Sequence, residues 1–290
     1  NHNMSSFLQN YQRQPKLFID LPSKGKFYDE TVLQEGQTSH IPVYGMNAMD
    51  EILFKTPDAL FSGEATAEVI KSCIPTILDP WQLVGYDIDF ILIALRIATY
   101  GDKMPVGTTC PKCAESSENE ISLTQLLDGF VNYETDYNFT IEDLTFNLRP
   151  ITYRQTTNFS IENYTLDREL YQVKNLDMNR EDQNKQMQDI YTRSSEVNLR
   201  LAIAHIHEIS NGTDSETNLN EISTFITQND ALFFEKLKKG IQDLTSKWNI
   251  PQFEIICGAE SCSNRYKSAL EVDYSNFFGV KSLRSRNLIF

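Results

Sequence analysis

The residues with the clearest chemical potential in this 290-residue chain are four of its five cysteines, which form two close pairs. Cys110 and Cys113 have a C-x₂-C spacing, and Cys257 and Cys262 have a C-x₄-C spacing. Both spacings are typical of structural zinc sites, in which each short loop supplies two corners of a tetrahedron. The first residues show no charged leader followed by an apolar run, so we expect no secretory signal. Paired cysteines then indicate metal ligands rather than disulfides, and the sequence predicts one structural zinc ion bound by all four.

A site closed by four thiolates has no open coordination position for water or substrate, so its predicted role is structural. One alternative is that the four thiols are unrelated, but two close pairs would then occur by chance among five cysteines. Another alternative is a redox motif at Cys110-Pro111-Lys112-Cys113, although no strand–helix–strand pattern surrounds it. Cys73 stands apart from both pairs, and its role is left open.

The segments around the cysteines predict a ribbon that is divided in sequence. Residues 102–154 and 251–279 have strand character and form the two halves of the predicted ribbon, whereas 155–250 are polar and helical. An N-terminal strand-helix region covers 1–101, and a short C-terminal tail covers 280–290. We therefore predict the α+β class, with an N-terminal strand-helix region and a split Cys₄ zinc ribbon that carries a mostly helical insertion.

Apolar periodicity predicts the main helices. Asp87 is positioned to cap a helix with a stripe at the helical period, and Gly101 is a natural stop. Residues 222–247 suggest two helices separated by Gly240, and the pattern through residue 209 suggests that a long helix reaches Ile209.

Other titratable residues have simpler explanations than catalysis or metal binding. His205 and His207 are two residues apart on the predicted helix, so they do not share a face. Asp87 and Asp89 suit helix capping and compensation of the helix dipole. Arg96 lies in an apolar helix, where an arginine usually extends to solvent or is paired.

Charge and composition exclude several classes of function. The chain has 40 acidic and 26 basic residues, a formal net charge of −14, so its surface repels phosphate backbones and anionic lipid. We therefore expect neither nucleic acid nor a membrane as a partner. In addition, no apolar run reaches the roughly 18–20 residues of a membrane span. A basic protein surface is a better partner. Phosphate-binding loops, nucleophile elbows and metalloprotease motifs are missing from the sequence, so we expect no enzyme.

An ordered series of short motifs carries a family resemblance. It consists of Leu21-Pro22-Ser23-Lys24-Gly25 with Tyr28, then Ile70-Lys71-Ser72-Cys73, then the helical run from Phe90 to Gly101, and then the first cysteine pair. In this order the motifs resemble the T-even-type phage baseplate protein family, over about the first 130 residues and the last 35. The helical middle of the chain matches no part of that motif pattern.

The resemblance implies a protein of the central baseplate hub of a contractile tail, or a factor that helps to assemble it. It implies contacts with other tail and baseplate proteins and no catalytic residues. The location would be the virion tail, or the host cytoplasm during assembly. Leu288, Ile289 and Phe290 could dock into a groove of a neighbouring protein, and the alternative is a frayed terminus.

A competing interpretation is a zinc-ribbon regulator that binds nucleic acid. The net charge opposes it, and the basic residues near the cysteine pairs are too few to form a phosphate-binding stripe: Lys112, Arg265 and Lys267. A thiol redox enzyme is the less favoured third interpretation.

Overall fold

The fold is described from a computed structural model, which covers residues 11–35, 37–130 and 137–270. The chain divides into two compact units. The split unit combines Asn1–Asn132 with Ile250–Phe290, and the continuous unit is Tyr133–Asn249. Helices and strands occur in both, which confirms the predicted α+β class. Among the described residues, no helix is both long and apolar enough to cross a lipid bilayer.

The split unit begins with a strand pair and a series of helices. The antiparallel strands β1 and β2 are followed by helices α1 to α4: β1 Pro15–Ile19, β2 Ile41–Tyr44, α1 Ala48–Phe54, α2 Pro57–Phe61, α3 Glu64–Cys73 and α4 Gly85–Tyr100. Helix α4 is buried over most of its circumference, as expected for a helix that is apolar on nearly all sides. It therefore forms the centre of this unit's core.

The ends of α4 test the predicted boundaries. Gly101 ends the helix with a φ of 89°, as predicted, because glycine adopts this backbone conformation without steric cost. The predicted cap at Asp87 is wrong, since the helix begins at Gly85 and its N-cap residue is Val84. Asp87 instead lies inside the first turn and is fully buried.

Two antiparallel hairpins and a short helix complete the split unit. They are β3 Lys103–Thr109, β4 Ser116–Ser122, α5 Leu123–Asp128, β9 Phe253–Ile256 and β10 Arg265–Ser268. The hydroxyls of Thr108 and Tyr266 lie 2.8 Å apart and link the two hairpins across a long sequence separation. The strand character predicted on both sides of the cysteine pairs is therefore present.

The continuous unit contains a four-stranded antiparallel sheet in the order β5-β6-β7-β8 and two helix pairs. The elements are β5 Asn138–Ile141, β6 Leu144–Leu148, α6 Tyr153–Asn175, α7 Arg180–Ala204, β7 Ile206–Ser210, β8 Ser215–Glu216, α8 Leu219–Gln228 and α9 Ala231–Thr245. The sheet buries Phe146, which stacks on Phe139 at 5.3 Å between ring centroids. This unit begins earlier than the insertion predicted at 155–250, and it includes strands as well as helices.

Helices α6 and α7 form a long antiparallel hairpin. Thr152 and Gln155 form a reciprocal capping box at the start of α6, and Asn179 caps α7. Between the helices a narrow apolar seam is formed by Leu166, Val173, Ile190 and Val197. The capping residues therefore fix where each helix begins, and burial of the apolar seam stabilises the packing of the two helices against each other.

Two predicted helix boundaries in this unit are wrong. Helix α7 ends at Ala204 and does not reach Ile209, because Ile206 to Ser210 pair with β6 as strand β7. Gly240 does not separate two helices, since it lies within α9, and the break falls at Asp230, which caps that helix. A Cβ at Gly240 would overlap the ring of Phe139, so the glycine is required for close packing.

Candidate metal centre

The four paired cysteines converge at one place in the split unit. The sulfurs of Cys110 and Cys262 lie 3.9 Å apart, and those of Cys113 and Cys257 lie 3.6 Å apart. All four sulfurs lie within 4.8 Å of one another. Zinc–thiolate bonds of about 2.3 Å in a tetrahedron place sulfurs about 3.8 Å apart. The geometry therefore fits four ligands around one ion, with each pair supplying two.

The first pair lies in a tight turn between β3 and β4. The Cys110 N–H donates to the Glu115 carbonyl at 2.8 Å, and the Ala114 N–H donates to the Cys110 carbonyl at 2.9 Å. Ala114, directly after the second cysteine, has a φ of 59°. This left-handed residue turns the chain back into β4 after both thiols have been directed to the same side.

The second pair lies in a similar turn between β9 and β10. The Cys257 N–H donates to the Asn264 carbonyl at 2.8 Å, and the Cys262 N–H donates to the Ala259 carbonyl at 2.9 Å. Ser263, again directly after the second cysteine, has a φ of 43°. Both turns therefore have a left-handed residue directly after the second cysteine. They face each other, and each presents two thiols.

Hydrogen bonds to sulfur favour the thiolate form of Cys110, whereas Cys113 is harder to ionise. Burial opposes ionisation of Cys110, but N–H groups of Cys113, Lys112 and Asn264 donate to its sulfur and lower the pKa of this thiol to about 6. The Glu115 N–H lowers the pKa of Cys113, but burial of the thiol and the neighbouring cysteine sulfurs raise it to about 12. Thiols this close compete for negative charge, so a cation is needed to keep all four ionised.

The side chain of Asn264 was not singled out by the sequence. Its Nδ2 lies 3.7 Å from the Cys110 sulfur and donates to it. Such outer partners orient metal ligands and stabilise their charge. Its position two residues after Cys262 is the signal that could have identified it, because side chains next to a metal-binding turn often contact the ligands.

Comparison with known proteins adds an independent observation. A family model described as T4 bacteriophage base plate protein matches residues 43–278, which include both cysteine pairs and the whole continuous unit. The chain belongs to this baseplate protein family. No curated protein and no solved structure matches it. The match also covers the helical middle, which the motif resemblance did not reach.

Family membership indicates where in the phage particle the protein is found. It is a T4-type phage baseplate protein, and its location is the tail of the virion among other tail proteins. The predicted resemblance is thereby confirmed.

The four cysteines of the cluster differ in their access to solvent. Cys110 and Cys257 are buried, Cys262 is partly exposed and Cys113 is exposed. The centre therefore lies near the protein surface, where an ion can enter and a chelator can reach it. Four tetrahedral thiolates suit zinc or iron.

His205 and His207 are not part of the cysteine cluster. His205 lies directly after α7, where its Nδ1 is 2.9 Å from the Leu201 carbonyl and its ring is 6.2 Å from that of Trp248. Burial lowers the pKa of His205. His207 is exposed in β7, not on a helix as predicted.

Asp87 belongs to a buried network that the sequence did not reveal. Its carboxylate accepts hydrogen bonds from the backbone and hydroxyl of Ser23 and, at 2.6 Å, from the hydroxyl of Tyr28. Tyr28 in turn accepts from the Val84 N–H at 3.0 Å. The Leu-Pro-Ser-Lys-Gly motif is thus anchored to the start of α4, which gives its Ser23 and the later Tyr28 a structural role.

The remaining candidates have different environments. Asp89 is partly buried in α4, and this burial raises its pKa to about 7. The guanidinium of Arg96 lies 4.6 Å from the Tyr100 ring centroid, and its buried Nε and Nη1 have no hydrogen-bond partner among the described residues. Cys73 is buried, and burial raises its pKa to about 12, so it is a poor nucleophile. The tail residues Leu288, Ile289 and Phe290 lie outside the described residues.

Proposed function

We propose that this baseplate protein is a non-enzymatic component of the baseplate hub, or a factor that assembles it, and that one structural zinc ion stabilises it. It acts through contacts with other baseplate proteins. The observation that carries the proposal is the convergence of four thiols, from distant parts of the sequence, in a member of the baseplate family.

Zinc is the ion that we propose for the centre. The sulfur separations of 3.6 and 3.9 Å suit a tetrahedral thiolate site, and the amide N–H groups around Cys110 suit bound thiolates. When bound, the ion supplies a covalent-like link between the turns at residues 110–113 and 257–262. Structural zinc binding contributes roughly 10 kcal/mol or more at neutral pH, so it would strongly favour the closed ribbon.

A role without catalysis is supported by how the candidate reactive groups are used. All four thiols lie close enough to bind one ion, and a site closed by four thiolates would leave no coordination position for substrate. The buried Asp87 is occupied by hydrogen bonds from Ser23 and Tyr28. The fifth cysteine, Cys73, has a pKa raised to about 12 and is buried.

The place of the protein in the phage can be tested by quantitative mass spectrometry of purified particles and of infected-cell lysates. A fixed, small copy number in particles would support a structural hub component. Absence from particles together with binding to tail proteins in lysates would support an assembly factor. Absence from both would contradict the proposal.

A further inference from the structure

The α6–α7 hairpin has two sides that differ in character. The cross-helix ion pairs Glu169–Arg193 and Glu162–Arg200 lie on one side of the apolar seam. They also define the register of the two antiparallel helices, so that Tyr171 of α6 lies at the same height along the hairpin as Tyr191 of α7.

The other side of the seam presents a nearly uncharged surface, which we name the tyrosine face. By helical periodicity it comprises ten exposed residues: Ser160, Tyr164, Asp167, Tyr171 and Lys174 on α6, and Asn184, Gln188, Tyr191, Ser195 and Asn198 on α7.

The exposed tyrosines are the strongest feature of this face. Tyr171 is 70% exposed, Tyr191 is 51% exposed and Tyr164 is 50% exposed. Aromatic enrichment with few charges distinguishes the centre of a protein interface from ordinary surface. Tyrosine is also a frequent hot-spot residue, because it buries a large rigid ring while its hydroxyl is hydrogen-bonded.

The polar residues of the tyrosine face are complementary to themselves. Asp167 and Lys174 are seven residues apart on α6, and their midpoint lies at the height of Tyr171. A two-fold axis across the helices at that height would place Asp167 of one copy opposite Lys174 of the second copy, twice. Neither residue is in an ion pair within the part of the chain that the structure describes.

The same axis also pairs the uncharged residues of α7. Asn184 and Asn198 lie seven residues apart, with Tyr191 midway between them, and Gln188 and Ser195 are placed almost symmetrically inside them. Each asparagine would therefore face the other asparagine of the second copy. The axis defined by the charges on α6 and the axis defined by the amides on α7 lie at the same height.

We propose that the tyrosine face is a self-association surface, through which two copies of this chain form an antiparallel four-helix bundle. Helix α6 would face α6 of the second copy, and α7 would face α7. The helices are about 35 Å long, and two side by side offer about 700 Å² per copy. This is close to the roughly 800 Å² per partner of a stable interface. The tyrosine face contains none of the four cysteines.

The test is sedimentation equilibrium of the full-length, metal-loaded protein with exchanged charges. Asp167→Lys alone and Lys174→Asp alone each bring like charges together, so each should weaken dimerisation about tenfold. The double exchange Asp167→Lys/Lys174→Asp should restore the wild-type dissociation constant, because the opposite charges again face each other. Recovery of this kind would not arise from damage to the fold.

A second variant and a control complete the experiment. Replacing Tyr171 and Tyr191 together with serine should abolish the dimer while circular dichroism remains unchanged, because both side chains are exposed. Glu196→Lys, an exposed charge on the other side of the hairpin, should dimerise as the wild type does. A monomeric wild-type protein would overturn the proposal, and so would a dimer that ignores the charge exchanges or is not restored by the double exchange.

Discussion

The two units of this baseplate protein are closed in different ways. The split unit joins segments that lie far apart in sequence, since Cys113 contacts Cys257 across 144 residues and Cys110 contacts Cys262 across 152. The continuous unit is formed by one uninterrupted segment, with a helical hairpin and a sheet whose strands mostly pair with sequence neighbours. The cost of loop closure therefore falls mainly on the split unit.

The regions that close the two units differ in how many large apolar side chains they bury. The cysteine-bearing hairpins bury few large apolar side chains, and the strand β10 has none that is fully buried. In the continuous unit, by contrast, Phe146 is fully buried against aromatic neighbours, and the α6–α7 seam is apolar. The cysteine-bearing hairpins therefore lie outside the apolar core that α4 forms in the split unit, and we expect a bound metal ion to hold these two hairpins together.

The substitution Cys257→Ser should have the largest effect, and it tests whether a metal ion closes the split unit. The variant removes one ligand, so we expect loss of bound zinc and of roughly 10 kcal/mol of binding free energy. Hydrogen exchange should increase across residues 103–122 and 253–268, while residues 137–249 should keep their protection. The control is Cys73→Ala, which should retain one metal ion per chain. Retention of metal by Cys257→Ser would contradict the shared site.

Gly240→Ala tests whether side-chain packing stabilises the continuous unit. The added methyl group would overlap the Phe139 ring, so we expect the continuous unit to lose about 1–3 kcal/mol of unfolding free energy. Chemical denaturation, monitored by hydrogen exchange, measures this loss. The zinc content should not change. Gly107→Ala is the matched control, because a Cβ there meets no atom within 4 Å. Equal effects of both substitutions would exclude packing as the cause.

Asp89 should make the stability of the split unit depend on pH, and Asp89→Asn should remove this dependence. Burial raises the pKa of Asp89 to about 7, above the value of about 3.9 in an unfolded chain. Its contribution to stability is therefore fully present below about pH 4 and is lost as pH rises towards 7. The variant should raise the melting temperature by a few degrees at pH 8, on the order of 1 kcal/mol, and leave it nearly unchanged at pH 4. Asp58→Asn, on the exposed side of α2, should have no comparable effect.

His205 should make the stability of the continuous unit depend on pH with the opposite sign and a smaller magnitude, and His205→Gln should reduce this dependence. Burial lowers the pKa of His205 below the unfolded value of about 6.5, so the unfolded chain binds the proton more readily. The wild-type continuous unit should lose stability as pH falls below about 6.5, by less than about 1 kcal/mol, and the variant should lose less. Hydrogen exchange of β7 between pH 5 and 8 measures this, with the exposed His207→Gln as control. A stronger acid dependence in the variant would contradict the assignment.

The sequence was most informative where structure is encoded over a few residues. The spacings of the cysteine pairs predicted two metal-binding turns, and Gly101 predicted the end of α4. The strand character of residues 102–154 predicted strands such as β6, and the mixed pattern predicted the α+β class. Each of these signals depends on local backbone geometry.

The errors occurred where distant residues determine the outcome. Asp87 resembled a helix cap, but Ser23 and Tyr28, about 60 residues away, bury it in a hydrogen-bond network. Gly240 resembled a helix break, but Phe139 requires a glycine there. Asn264 contacts Cys110 only after both turns have been brought together. Periodicity carries no information on such contacts.

The central claim is that four cysteines from both parts of the split unit bind one zinc ion. Elemental analysis of the purified full-length protein, combined with X-ray absorption at the zinc edge, tests this claim most directly. We expect one zinc ion per chain, surrounded by four sulfur ligands at about 2.3 Å. A folded protein that binds no metal, or a zinc ion with fewer than four sulfur ligands, would contradict it.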